Sequence, residues 1–179
     1  AYQWWRTSQA AAASQLYETM VTAINKGDKD QTLRAADDLQ KQFSGTPYAA
    51  MSSLVAAKIA SDAGDLAKAM DYLRWATKNA SDQGYLALAK LRLTAQLIEL
   101  GTEKDFAEAD AILKEKPVSG FEPLWSERRG DWYLAQKNTA DARKSYEAAW
   151  KQLNDAKEFP EEARRLLKVK LDAVGGVAQ

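Results

Sequence analysis

The sequence predicts an all-α protein, a tetratricopeptide-like helical solenoid of about four helix pairs with a C-terminal capping helix. Three observations predict it. Apolar residues recur at helical spacing along nearly the whole chain, as in Leu66, Ala69, Met70, Leu73, Ala76 and Thr77. Ala, Leu, Lys, Gln and Glu dominate while β-branched residues are scattered, which is helix-former composition. Gly27, Gly64 and Gly101 stand 37 residues apart, each closing a helical stretch. Short paired helices at such a period form stacked repeats, because one pair alone cannot bury its apolar face.

The elements follow from this punctuation. Helices are expected over residues 3–25 and 29–43, then 47–62 and 66–79, then 84–100 and 105–115, then 121–136 and 139–155, with a ninth over 160–174. Gly27-Asp28 and Gly64-Asp65 repeat one dipeptide: glycine ends a helix in the left-handed conformation and aspartate caps the next. Leu86, Leu88, Leu91, Leu93, Ala95 and Leu97 partly alternate with polar residues, as in a half-buried strand. That run is too long for most strands, has few β-branched residues, and suits a helix covered on two faces. Pro160 fits the start of the ninth helix and Gly175-Gly176 its end. The resulting organisation is an N-terminal helical extension over 1–13, repeats over about 14–46, 47–83, 84–118 and 121–155, a capping helix over 160–174 and a flexible tail over 175–179.

Small residues stand where two helices cross closely. Ala57, Ala69 and Ala76 take these places in the second repeat, and Gly130, Ala142 and Ala149 in the last, with Tyr146 between the latter two. The third repeat departs from the pattern. Thr102-Glu103-Lys104 reads as an insertion before Asp105, and Lys116 stands where the second small residue belongs. In the first repeat Thr32 replaces an expected alanine.

Composition removes several function classes. Hydrophobic residues make up 46% and charged residues 28%, so the chain is neither a disordered tail nor a membrane bundle. Its 25 basic residues balance 25 acidic ones, leaving no basic face for nucleic acid. Without cysteine or histidine there is no thiolate nucleophile, no zinc–thiolate site and no histidine general base. Asp37-Asp38 and Glu161-Glu162 are adjacent on helices and point apart, so neither pair shares a site. Glu103, Asp105, Glu108 and Asp110 lack the glycine and ligand spacing of a calcium loop. No G-x-x-x-x-G-K phosphate cradle occurs. The expectation is a protein with no catalytic residues and no cofactor.

Several stretches, in order, resemble one family: Phe43-Ser-Gly-Thr-Pro-Tyr48, Ala63-Gly-Asp-Leu-Ala67, Leu73-Arg-Trp-Ala76, Arg129-Gly-Asp131 and Leu167-Lys-Val-Lys-Leu-Asp172. They are similar to the YfgM-type ancillary subunits of the bacterial SecYEG translocon. The resemblance implies a periplasmic helical domain on a single N-terminal membrane helix that lies upstream of this sequence. Its implied partners are translocon subunits, the membrane-anchored periplasmic chaperone PpiD and unfolded client segments. The implied function is a non-enzymatic scaffold at the periplasmic face of the inner membrane, assisting the Sec translocon and periplasmic chaperones. A tetratricopeptide adaptor for another envelope process, such as cytochrome maturation, cell-wall synthesis or division, is the alternative. Self-association through the open ends of the array is a further expectation.

Two candidate sites follow. First helices of such pairs line the groove, which places Tyr17, Val21, Leu54, Lys58, Leu91, Ala95, Glu127 and Asp131 there by register. The apolar members could equally be core, whereas Lys58, Glu127 and Asp131 are difficult to bury. Near the N-terminus, Tyr2, Trp4, Trp5 and Arg6 either meet a membrane interface or belong to a terminus packed on the first repeat. Among the other tryptophans, Trp150 is expected in the core and Trp75 is either the more exposed one or packed on the next repeat, while Trp125 and Trp132 could join them in a contact patch.

Overall fold

The computed structural model describes residues 1–176, and the regular structure among them is helical: α1 (Tyr2–Asn25), α2 (Lys29–Gln42), α3 (Pro47–Asp62), α4 (Leu66–Asn79), α5 (Gln83–Leu100), α6 (Glu103–Leu113), α7 (Glu122–Ala135), α8 (Thr139–Asp155) and α9 (Glu161–Ala173). Each helix starts and stops within two residues of its expected span. Of the expected tail, Gly175 closes α9 with φ +71°, and residues 177–179 lie outside the described residues. The chain forms two compact units, Ala1–Lys90 and Leu91–Gln179, with α5 running through the division.

In the first unit α1 packs on α2 and α3, and α3 on α4. Ala13, Leu39 and Ala49 are fully buried where these helices meet, with Leu16, Tyr17, Phe43, Tyr48 and Trp75 against them. Of the two readings of Trp75, exposed or packed on a neighbouring repeat, the fold has the ring half-buried in this cluster. A ring that misses the stripe of its own helix still finds cover here from neighbouring helices. Tyr72 of α4 is buried and donates its hydroxyl to Asp37 Oδ1 of α2 at 2.7 Å. Burial first, and the Asp37 carboxylate second, push that phenol far above its ordinary pKa.

In the second unit α6 packs on α7, α7 on α8 and α8 on α9. Ala142, Tyr146, Ala149 and Leu153 of α8 meet Leu167, Leu171 and Val174, with Tyr133, Trp150 and Phe159 around them. α9 thus buries one stripe against α8, as the period of its leucines dictates.

One turn design joins the helices of the pairs. Gly27, Gly64 and Gly101 all have positive φ, where a side chain would be strained. After Gly27 the N–H of Asp28 reaches back to Ala23 O at 2.9 Å, and Asp65 reaches Ala60 O in the same way. The side chains of these two residues then accept from Gln31 N and Lys68 N, so a single residue closes one helix and caps the next. The fourth turn keeps this pattern with Asn138 as the cap, but Lys137 occupies the glycine position at φ 62°. A side chain in that conformation costs roughly 1–2 kcal/mol. Lys137→Gly is therefore expected to raise stability by about 0.5–1 kcal/mol after glycine's greater freedom in the unfolded chain is discounted; denaturant titration checks it.

The insertion in the third repeat becomes helix. Thr102 directly follows Gly101, accepts from Asp105 N at 3.2 Å and forms a reciprocal capping box, so α6 begins at Glu103. Three residues are close to one 3.6-residue turn, and Ala109 is fully buried, as Thr32, Ala69 and Ala142 are on their own helices. α6 stops at Leu113, so Lys116 is not on a helix at all. Thr32 is buried at its expected small-residue place, its hydroxyl satisfied by Asp28 O at 2.7 Å.

Candidate protein-binding face

The eight register-derived groove residues fall into three groups. Val21 and Lys58 are exposed, and Tyr17 and Ala95 are half-buried. Tyr17 leans on Tyr48 with ring centroids 5.8 Å apart, and Lys58 pairs with Asp62 at 3.3 Å on its own helix. Leu54 and Leu91 are buried, so in this fold they are core and present no contact surface. The helical spacing that marks a groove also marks a core stripe.

Glu127 contradicts the expectation that it resists burial, and Asp131 is half-buried. Glu127 is only 9% exposed, and its Oε1 accepts from Lys170 Nζ of α9 at 2.7 Å. The same ammonium lies 2.9 Å from Asp131 Oδ1, which also accepts from the Tyr146 hydroxyl at 2.8 Å. Arg128 reaches Asp131 Oδ2 at 3.2 Å. Carboxylates one helical turn apart on α7 thus converge on one cation from α9, which explains how Glu127 is buried and Asp131 half-buried. Burial first, and Asp131 second, drive the Tyr146 phenol strongly upward in pKa. Lys170 escaped sequence reasoning. Its signal was a lysine one position before buried Leu171, on the shoulder of the inner face of α9.

A cleft of about 560 Å³ lies along α6 and α7, lined by Phe106, Asp110 and Trp132 among others. Trp132 donates its indole N–H to Phe106 O at 2.9 Å, and the Arg129 guanidinium lies 5.1 Å from the Trp132 ring centroid. Arg129 also binds Asp110 Oδ1 at 2.7 Å, while Lys114 binds Oδ2 at 2.6 Å. The Lys114 hydrogen bond first, then Arg129, hold the Asp110 carboxyl below its ordinary range. A general acid at neutral pH needs the opposite shift. Of the acidic set flagged in the sequence, Asp105 is likewise committed, to the Thr102 cap. Trp125 is buried, Trp132 is half-buried, and Trp150 packs partly buried against the α8–α9 core, so the tryptophans do not form one exposed patch.

The remaining candidate residues are at the start of α1. Residues 1–8 are exposed on every side, with Tyr2, Trp4 and Trp5 at 70%, 75% and 54% exposure. These side chains do not pack on the first repeat. Tyr2 stacks on Trp5 instead, with centroids 6.4 Å apart. No helix among the described residues is long and apolar enough to cross a membrane.

Residues 1–176 match the family model of the tetratricopeptide repeat-like domain. The chain is 30% identical over 165 residues to the ancillary SecYEG translocon subunit of Neisseria gonorrhoeae, covering 91% of this chain and 75% of that protein. The chain belongs to this family. It is also similar to the ancillary SecYEG translocon subunits of Escherichia coli, at 29% identity over 84% of this chain and 72% of that one, and of Haemophilus influenzae, at 26% over 83% and 72%. No solved structure matches it.

Proposed function

We propose that this chain is a non-enzymatic, protein-binding subunit associated with the Sec translocon, held at the periplasmic face of the inner membrane. There it engages unfolded segments of translocated proteins and a membrane-anchored periplasmic chaperone. The observation that carries this reading is the likeness, over nine-tenths of the chain, to a protein named an ancillary SecYEG translocon subunit. The helix pairs support it physically, since stacked pairs offer extended faces to peptides while their own core stays closed. Of the register-derived candidates, Tyr17, Val21 and Lys58 in the first unit and Ala95 in the second are accessible, and each is a proposed contact point.

The test is site-specific photocrosslinking in intact membranes. Probes at Val21, Lys58 and Ala95 are expected to give adducts with translocon subunits or with an arrested secretory chain, whereas a probe at Lys144, on α8, gives none. Adducts absent from all three groove positions in membranes rich in active translocon would sink the reading.

A further inference from the structure

We propose that the outer face of α9 is a docking surface for a second copy of this chain, the two copies pairing antiparallel through this helix. A helix that caps a stacked array ordinarily turns a polar face to water. α9 does so only in part. Leu167, Leu171 and Val174 are buried on its inner side, yet Leu166 and Val169 are 54% and 64% exposed. Beyond the first turns of α1, these two are the most exposed large apolar side chains among the described residues. At about 100° per residue, Leu166, Val169 and the exposed Ala173 fall within about 60° of arc, opposite the buried stripe. A helix apolar on two opposite sides calls for cover on both.

Charge argues for a second copy as that cover. The inward cations of α9 are used within the fold, Lys170 by Glu127 and Asp131, and Arg164 by Asn154 and Leu153 O. Arg165 and Asp172 are exposed, and neither side chain has an ion-pair partner among the described residues. Seven residues apart, they lie together on one flank of the exposed apolar stripe. In an antiparallel helix pair, matching flanks face each other. With Leu166 of each copy against Val169 of the other, Arg165 of each comes opposite Asp172 of the other. One two-fold operation thus makes both ion pairs, which is the self-complementarity that a symmetric dimer requires. The net charge of zero adds no long-range repulsion between copies. Two aliphatic side chains per copy make a contact smaller than a permanent interface, so the dimer is expected at high concentration, with Kd on the order of 100 μM.

Pairing of this kind needs no translocon partner, so sedimentation of the 179-residue chain tests it separately from crosslinking in membranes. The wild-type chain is expected to pass from monomer to dimer as concentration rises. The Leu166→Gln/Val169→Gln double variant is expected to associate at least about tenfold more weakly, with unchanged circular dichroism. Arg165→Asp and Asp172→Arg are each expected to stay monomeric alone, because like charges then face each other, and to form a one-to-one dimer when mixed. Three outcomes would overturn the proposal: a wild-type chain still monomeric at about 1 mM, undiminished association of the double variant, or a mixture of the two charge variants that associates no better than either alone. A monomeric chain whose photoprobe at Val169 gives adducts with a different protein in membranes would assign the face to that partner, and would overturn the proposal as well.

Discussion

Gly130→Ala is expected to lower the stability of the second unit by about 2–3 kcal/mol, an overpacking cost that corresponds to a fall in melting temperature of roughly 4–12 °C. A Cβ at this position would overlap the Tyr146 ring. The ring cannot swing aside cheaply. It is fully buried among Ala142, Ala149 and Leu153, and its hydroxyl is held by Asp131. The second pair offers an internal control, because the equivalent positions there hold Ala57 and Leu73, both buried. One pair uses a small residue on the first helix with an aromatic on the second; the other uses a methyl group with a shorter aliphatic chain. Gly130→Ala combined with Tyr146→Leu is therefore expected to cost less than the sum of the two single changes. Thermal denaturation of the four proteins measures that coupling. If the double change costs as much as the sum, close packing at the crossing does not account for Gly130.

How far the sequence could be read is visible at this same crossing. Gly130 was identifiable as a small residue in register with Ala57, and the helices themselves followed from period and glycine punctuation. These signals are local, arising from how one helix must bury one stripe. Lys137 carried no such signal: it adopts a glycine's backbone conformation because Asn138 and the returning hydrogen bond to Tyr133 O enforce the turn. The candidate site was less accessible than the fold for a related reason. Core stripe and groove stripe share one spacing, so Leu54 and Lys58, one turn apart on α3, are separated only by packing. Glu127 and Asp131 looked like surface residues because their partner lies 39 residues or more along the chain, on a helix whose rotation about its own axis the sequence does not specify. The N-terminal aromatics had two readings because the sequence does not show whether neighbouring helices cover Tyr2, Trp4 and Trp5, which are largely exposed.

The Lys170 contact yields the other large expected effect. Lys170→Met keeps most of the apolar stem and removes the ammonium, leaving Glu127 and Asp131 one turn apart without their shared cation. Breaking a fully buried pair on one side costs about 3–5 kcal/mol. Here the side chains retain 12% to 24% exposure and Arg128 stays on Asp131, so the expected loss is nearer to about 2 kcal/mol. The sign of a second change separates electrostatics from packing. If unpaired carboxylates cause the loss, Glu127→Gln should be harmful in the wild-type background and nearly neutral, or stabilising, beside Lys170→Met. If the lysine stem is what matters, Glu127→Gln should cost the same in both backgrounds. Hydrogen exchange locates the effect: faster exchange across α9, with α3 and α4 unchanged, is expected when the tie between α7 and α9 is lost. Arg143 Nε to Val174 O at 2.7 Å and the Arg164 bonds to Asn154 and Leu153 O remain as polar anchors of α9, so it should loosen before it detaches. The role of the cap then becomes measurable. A loosened α9 exposes Leu167 and Leu171 together with the Tyr146 surface beneath, and if the helix serves only to close the array, weakened α9 packing should promote self-association at high concentration without changing crosslinks at Val21 or Lys58.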